Sequence, residues 1–205
     1  MGNRYEASGS QSEFQPGSDG QVLRNLLGIT SPDEMDEIEL DLLNQLYQSI
    51  FTNNFPVRRL AVADLHSWHQ QWLGNVYSWA GEIRTVNLSK EDFSFAAADQ
   101  VPRLLDEFQQ TCLDRFTPST ELEHGPLIEA LAVTHVELIL IHPFREGNGR
   151  LARLLADVMA VQANRGLLDY SAWDLEKERY FAAIQRGVAR EYGPMKELFS
   201  GALQS

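Results

Sequence analysis

The chain has 205 residues, of which 43% are hydrophobic, and its single cysteine is Cys112. This length predicts one domain with a core of its own, and one cysteine excludes an internal disulfide, as in proteins of a reducing compartment. The net charge of −12 argues against direct, sequence-independent binding of nucleic acid, which needs many lysines and arginines.

Neither a membrane span nor a targeting segment is predicted. No apolar run is long enough to cross a bilayer, and residues 1–14 lack the hydrophobic core of a signal peptide. The first two residues, Met-Gly, resemble a myristoylation site, but Glu6 stands where Ser or Thr is required. The five histidines do not follow the spacing of a structural metal site. We therefore expect a cytoplasmic protein with no membrane partner.

Residues 1–20 are rich in Ser, Gly and Gln, which predicts a disordered N-terminus. Ser31 has the properties of a helix cap, and Pro32 and the acids after it are typical of a first helical turn. A second helix is predicted over Leu60–Leu73. Further helices are expected at about 100–114, 126–141, 150–164, 174–188 and 194–202.

Between the second and third helices the pattern changes to that of strands. Ile83, Thr85 and Val86 favour strand structure, "LSKED" resembles a turn, and "FSF" at 93–95 is predicted to return as the second strand. The predicted fold class is all-α, a helical domain that carries one small β-hairpin at about 82–95.

The decapeptide "IHPFREGNGR" at 141–150 joins two apolar helices with unusually polar chemistry. Pro143 disfavours helical geometry at His142, and Gly147 and Gly149 allow a sharp turn. The next helix begins near Arg150, so its free amides and dipole form an anion site. A tight turn with solvated arginines would explain "GNG" alone, but it does not require the rest of this inventory.

Several side chains around this loop suit phosphate chemistry. Arg150 and Arg153 lie three residues apart on one helix face, and guanidinium groups bind polyphosphates well. Glu146 offers an oxygen ligand of the kind that magnesium takes, and His142 can act as a base near neutral pH. Together with Arg84 and Arg145 they indicate a small anionic ligand and phosphoryl or nucleotidyl transfer.

"HPFREGNGRLAR" matches the Fic family signature H-x-F-x-[DE]-G-N-G-R-x-x-R over His142–Arg153. Upstream, "VLRNLLGITSPDEMDEIE" resembles the amino-terminal part of that family, and "VYSWAGEIRTVNLSK" resembles its hairpin, the flap. The resemblance implies a Fic domain over residues 21–205, with the flap at about 82–95 and the active-site loop at 142–150.

The resemblance also implies an activity, the magnesium-dependent transfer of AMP from ATP to a Tyr, Ser or Thr hydroxyl of a target protein. His142 would be the general base, Phe144 the anchor of the loop and Glu146 the magnesium ligand. The nucleotide-binding residues would be Arg145, Glu146, Gly147, Asn148, Gly149, Arg150 and Arg153, with Lys90, Glu91 and Gln185 as further candidates.

The flap would pair with an extended target segment by strand addition. Many family members carry an inhibitory helix with the motif [ST]-x-x-x-E-[GN]. None of the glutamates here that have Ser or Thr four places earlier is followed by Gly or Asn. The chain is therefore expected to be the toxin of a pair with a separate small antitoxin, with DNA gyrase B or topoisomerase IV ParE as target.

Alternatives remain open at this level. A phosphotransferase relative carries lysine at the position of Gly149, so glycine favours AMP transfer. Transfer of UMP, phosphocholine or phosphate, and a non-catalytic nucleotide-binding module, are the other readings. The tryptophans at 68, 72 and 79 and the histidine at 135 are expected to be core residues rather than ligands.

Overall fold

The computed structural model of the chain describes residues 6–7, 11, 13–90 and 92–203, and these form two compact units. The first unit takes the described residues of Met1–Phe55, Ala63–Pro102 and Pro143–Gly147. The second takes those of Pro56–Val62, Arg103–His142 and Asn148–Ser205.

The predicted all-α class is confirmed, because helices dominate both units. They are α1 (Pro32–Gln48), α2 (Val62–Leu73), α3 (Val101–Phe108), α4 (Asp114–Phe116), α5 (His124–Ile141), α6 (Asn148–Gln162), α7 (Ser171–Leu175), α8 (Lys177–Gly187) and α9 (Gly193–Ala202). π-helical turns follow α1 at Ser49–Asn53 and separate α3 from α4 at Gln109–Leu113. The predicted helix at 174–188 is divided in two by a break at Glu176.

The predicted hairpin is present in the first unit as β2 (Leu88–Lys90) and β3 (Phe93–Ser94), and a further strand, β1 (Glu6–Ala7), pairs with β2. The first hairpin strand begins later than predicted, so Ile83–Val86 is not strand and "LSK" is not turn. The amide of Arg84 donates to the Pro143 carbonyl, and that of Thr85 donates to the Gln11 side chain. These amides are therefore used outside a strand ladder.

The first unit is organised around α1 and α2. Ser31 caps α1 by accepting a hydrogen bond from the Glu34 amide at 3.4 Å, as predicted. Trp72 on α2 donates through Nε1 to the Glu39 carbonyl at 2.8 Å, and the Tyr77 hydroxyl donates to the Glu39 carboxylate at 2.6 Å. Glu39 is buried with both of these partners, so α1 and α2 are joined by polar as well as apolar contacts.

The structure differs from the expected disorder over 1–20 in the part that it describes from residue 13 onward. Phe14 forms a β-bridge with Leu23, and Glu13 accepts a hydrogen bond from Arg24 at 2.6 Å. Val22 and Leu23 are almost completely buried. Because the side chains of Val22 and Leu23 are buried, the polar segment before them takes a defined turn despite its composition.

In the second unit α5 packs against α6, α8 and α9. A Cβ on Gly187 of α8 would lie 2.1 Å from Val136 Cγ1 of α5, so glycine permits the close approach of these helices.

Among the described residues, α5 is long and apolar enough to cross a bilayer. This corrects the expectation that no apolar run has that length. However, 56% of the helix is buried within the protein. Burial on this scale is typical of a core helix.

Candidate active site

The signature begins at the residue that ends α5. His142 takes the left-handed conformation, with φ 51° and ψ 60°, and its amide donates to the Leu138 carbonyl. Pro143 disfavours the helical conformation before it, which explains why the helix stops here. Left-handed geometry is uncommon for a residue other than glycine and is concentrated at functional positions.

The protonated nitrogen of His142 is set by a backbone partner. Nδ1 lies 3.1 Å from the carbonyl oxygen of Ile139, and a carbonyl oxygen can only accept a hydrogen bond, so Nδ1 carries the proton. In the neutral ring the lone pair then lies on Nε2. The imidazole is 1% exposed, so the tautomer that a general base needs is held within the second unit.

The loop Pro143–Gly147 lies in the first unit, where His69 of α2 supports it. The Phe144 ring stacks on His69 with centroids 4.1 Å apart and planes 12° apart. His69 Nδ1 accepts from the Gly81 amide at 2.8 Å, and Nε2 lies 3.1 Å from the Glu146 carbonyl oxygen. His69 is therefore neutral with its proton on Nε2, and it joins the loop to the base of the flap.

Gly147 closes the loop against a second aromatic residue of α2. Its φ is +79°, and a Cβ at this position would lie 2.7 Å from Cζ3 of Trp72. Any other residue would meet both unfavourable backbone geometry and a ring that is completely buried. Glycine at 147 is thus required by the fold of the first unit, whatever the ligand.

Two of the four arginines expected to form an anion site are buried and bonded to carbonyl groups. The Arg84 side chain donates to the carbonyls of Val86 and Ala96, and burial lowers its pKa to about 10, so it stays charged at neutral pH. Arg145 Nε donates to the Gln11 carbonyl at 2.9 Å. Arg84 therefore stabilises the flap rather than a ligand, and the nucleotide contact of Arg145 stays a prediction.

Glu146 would need the phosphate oxygens of a nucleotide as further ligands in order to hold a metal ion. Its carboxylate accepts from the Gly147 amide at 3.0 Å and is half-buried. Over the described part of the chain, no three His, Cys, Asp or Glu side chains are grouped as a metal site. Magnesium is commonly held by one or two carboxylates together with substrate phosphates, and a single glutamate fits that pattern.

The second half of the signature starts α6 in the second unit. Asn148 is the first helical residue and is buried, whereas a Cβ on Gly149 would have no atom within 4 Å. Gly149 also lacks the positive φ that would demand glycine. Neither packing nor backbone geometry explains glycine at 149. Open space beside the amides of a helix start is what an approaching phosphate requires.

Arg153, one turn further along α6, is held along one edge. Its Nη2 donates to Asp174 Oδ1 at 2.9 Å, and its guanidinium lies 5.0 Å from the centroid of the Tyr170 ring and 5.8 Å from that of Trp173. Burial lowers the pKa of Arg153, but the hydrogen bond and charge of Asp174 outweigh this and the pKa is raised. Arg153 is thus charged and oriented before any ligand binds.

Trp173, which lies beside the Arg153 guanidinium, belongs to an aromatic cluster with Tyr180 and His135. Trp173 stacks on Tyr180 with centroids 5.2 Å apart, and the Tyr180 hydroxyl lies 2.8 Å from His135 Nε2. His135 is buried, and burial lowers its pKa to about 3, so it is neutral above that pH. The prediction that His135 is a hydrogen-bonded core histidine is confirmed, as is the core position of Trp68 and Trp72.

The remaining candidates are peripheral. Lys90 lies on β2 and is half-buried, and Gln185 is exposed on α8. Glu91 lies outside the described residues. Nothing in the geometry tests their predicted nucleotide contacts. Arg150 follows Gly149 on α6 and is half-buried, and its phosphate contact stays a prediction.

Sequence reasoning missed the residues that support the site rather than compose it. His69 is one of the five histidines whose spacing was weighed only for metal binding, yet it lies one helical turn before Trp72 on a buried face of α2. A histidine among apolar residues at helical spacing was the available signal. Tyr170 and Asp174 gave no signal, because their distance from Arg153 along the chain hides the contact.

Residues 59–160 match the Fic/DOC family. The chain is 25% identical over 193 residues to the probable protein adenylyltransferase Fic of Escherichia coli K12, covering 94% of this chain and 92% of that protein. It is 27% identical over 175 residues to a probable protein adenylyltransferase of Sinorhizobium fredii NGR234, covering 85% of this chain and 87% of the relative.

Solved Fic domains share the fold. The N-terminal Fic domain of a Bartonella effector protein from Bartonella sp. AR 15-3 superposes with a TM-score of 0.77 at 23% identity, covering 93% of this chain and 90% of that one. The BepC protein of Bartonella tribocorum, solved with bound AMPPNP, gives a TM-score of 0.74 at 23% identity, covering 95% and 98%. The chain belongs to the Fic/DOC family, and the predicted enzyme class, nucleotidyltransferase, is confirmed.

Proposed function

We propose that this Fic-domain chain transfers AMP from ATP to a hydroxyl group of a target protein. The observation that carries the proposal is the Nδ1–Ile139 hydrogen bond of His142, which leaves Nε2 as the basic nitrogen at the first position of a complete signature. Two relatives that align over most of their length are named probable protein adenylyltransferases, and BepC was solved with an ATP analogue.

The chemistry assigns one step to His142. The target hydroxyl oxygen attacks the α-phosphorus of ATP, its proton passes to His142 Nε2, and the bond from the α-phosphorus to the bridging oxygen breaks to release pyrophosphate. A base in the correct tautomer accelerates such a transfer by about 10²–10⁴-fold. The Ile139 carbonyl, by accepting a hydrogen bond from Nδ1, keeps the ring in that tautomer.

The phosphates would be bound by the start of α6 and its arginines. Gly149 leaves open space where a side chain would stand, and amides at a helix start attract anions through hydrogen bonds and the helix dipole. Arg153 would offer to the terminal phosphate those guanidinium N–H groups that Asp174 does not use. Positioning and charge stabilisation of this kind dominate phosphoryl-type transfer.

Glu146 would hold Mg²⁺ together with nucleotide phosphates. The ion would supply positive charge to the developing phosphate oxygens. The chain's own contribution is to hold Glu146 in place through two hydrogen bonds. Its backbone carbonyl accepts one from His69 Nε2, and its carboxylate accepts one from the Gly147 amide.

The partners follow from the same reasoning. We propose that a separate small antitoxin supplies the restraint, since the given sequence lacks [ST]-x-x-x-E-[GN]. The target would bind through the flap in the cytoplasm, with DNA gyrase B and topoisomerase IV ParE as the first proteins to test. Purified chain should label them, and the product of a neighbouring small reading frame should stop the labelling.

The decisive experiment compares label position. With Mg²⁺ and lysate, label from [α-³²P]ATP should enter protein while label from [γ-³²P]ATP should not, and His142→Ala should reduce the rate by about 10²–10⁴-fold. Label from the γ-position would indicate phosphorylation instead. Incorporation from [α-³²P]UTP at an equal rate would indicate that UMP transfer is the better description, and no incorporation at all would favour a non-catalytic module.

A further inference from the structure

The outer edge of the flap hairpin is occupied by the chain itself. β1 pairs antiparallel with β2, with Glu6 opposite Ser89 and Ala7 opposite Leu88. β3 pairs with the other edge of β2, with Ser89 opposite Ser94 and Lys90 opposite Phe93. β2 is therefore the central strand, and the edge of the hairpin that β2 would otherwise present for strand addition is paired with residues 6–7.

The register identifies the residue that holds β1 in place. The Phe95 amide donates to the Leu88 carbonyl at 3.1 Å, so the backbone groups of Leu88 face β3. Successive residues of a strand direct these groups to opposite edges, and those of Ser89 therefore face β1. Glu6 is the residue that exchanges hydrogen bonds with Ser89, whereas the backbone groups of Ala7 point away from β2.

A second contact extends the same segment along the first unit. The Gln11 side-chain oxygen accepts from the Thr85 amide at 2.9 Å. Its backbone carbonyl accepts from Arg145 Nε at 2.9 Å. The amino-terminal segment is thus attached to the flap at two positions, Ser89 and Thr85, and to the active-site loop at a third.

We propose that β1 and Gln11 occupy in cis the surface on which an extended segment of the target protein pairs antiparallel to β2. This inference rests on the proposed function. Backbone pairing does not depend on side-chain identity, so a target strand recognises the same groups as β1. A two-residue strand is held weakly, and a longer target strand displaces it. The amino-terminal segment therefore competes with the target protein for this edge of β2.

Proline substitutions separate this competition from other effects. Glu6→Pro removes the amide that faces Ser89, whereas Ala7→Pro removes one that points away from β2 and is tolerated at an edge. Glu6→Ala controls for the lost charge. In the full-length chain with [α-³²P]ATP and a dilute bacterial lysate, Glu6→Pro should label lysate proteins about two- to tenfold faster, the range expected for one backbone hydrogen bond.

The controls should label within about twofold of the wild type, and the KM for ATP should be the same in all four proteins. Because competition changes the KM for target and not kcat, the advantage of Glu6→Pro should disappear in concentrated lysate. Equal labelling by Glu6→Pro and wild type, slower labelling by Glu6→Pro, or an equal gain from Ala7→Pro would overturn the proposal.

Hydrogen exchange gives a readout that does not depend on catalysis. The Ser89 amide should exchange faster in Glu6→Pro and at the wild-type rate in Ala7→Pro. Equal exchange in the two variants would show that β1 does not cover this edge and would also overturn the proposal. Absence of label in every protein, with the expected difference in exchange, would count against AMP transfer and leave the self-occupied edge established.

Discussion

The two halves of the signature solve different problems. Pro143–Gly147 is held by protein contacts: Phe144 stacks on His69, the Glu146 carbonyl meets His69 Nε2, and Gly147 lies against Trp72. Asn148–Arg153 starts a helix in which Gly149 has open space and Arg153 is hydrogen-bonded along one edge to Asp174. The first half is held rigid by packing, whereas the second leaves the space that the proposed phosphate contact needs.

The two glycines show the contrast most clearly. They lie two residues apart in the same motif, yet only Gly147 has a positive φ and a crowded Cβ position. Identical residues in one motif can therefore have different roles, one in folding and the other, by our proposal, in binding. Four substitutions test this division, in decreasing order of expected effect.

His69→Ala should give the largest loss of stability, because it removes a buried ring and both of its hydrogen bonds. We expect about 3–5 kcal/mol, as for other large-to-small changes in a core. Urea unfolding followed by circular dichroism measures it. Gln71→Ala, on the exposed side of the same helix, serves as control and should change stability by less than about 0.5 kcal/mol. A small effect at His69 would show that the first half does not depend on it.

Gly147→Ala should destabilise the protein by about 2–4 kcal/mol, because a positive φ and contact with the Trp72 ring both oppose a side chain. Thermal unfolding should show a clearly lower Tm. Combining the change with Trp72→Phe, which shortens the opposing ring, should recover part of the loss relative to the sum of the single changes. Strict additivity would argue against the Trp72 contact.

The support behind Arg153 should be sensitive to acid. Burial lowers the pKa of His135 to about 3, so below about pH 6.5 the unfolded state binds a proton that the folded state does not. This contribution should lower the free energy of unfolding by about 2 kcal/mol between pH 7.5 and pH 5. His135→Gln should flatten the pH dependence by that amount, and an unchanged slope would contradict the buried neutral assignment.

Gly149→Ala should have the smallest effect on stability, within about 1 kcal/mol and in the stabilising direction, since alanine is the better helix former. Nucleotide affinity should nevertheless fall, because the new methyl group occupies the space left for phosphate. Unfolding curves and titration with ATP, measured on the same preparation, separate the two. A loss of stability as large as that of Gly147→Ala would remove the distinction between the halves.

Much of the fold was predictable from periodicity. Apolar spacing located the long helices within a few residues, and Ser31 and Pro32 marked the start of α1 correctly. The hairpin was predicted in the right place but with its first strand too early, because the amides of Arg84 and Thr85 are used by Pro143 and Gln11. Those partners are distant in sequence, so no local propensity reports them.

The order of the twelve residues His142–Arg153 predicted both the phosphate chemistry of the site and the resemblance to one family. Charge patterning was a weaker guide. It grouped four arginines as an anion site, whereas the buried Arg84 side chain donates to carbonyl groups of the flap, and Arg153 is paired with Asp174 and lies against the Tyr170 ring.

By itself the sequence determined which residue types occur in the loop. Covalent order places a base, an acid, two glycines and two arginines within residues 142–150. Only the tertiary structure decided what each of them faces. The His142 tautomer, the His69 support, the separate duties of Gly147 and Gly149 and the strand that covers the flap all depend on hydrogen bonds and packing. Such contacts are short in space, and most of them join residues far apart along the chain, which is why composition and spacing could not reveal them.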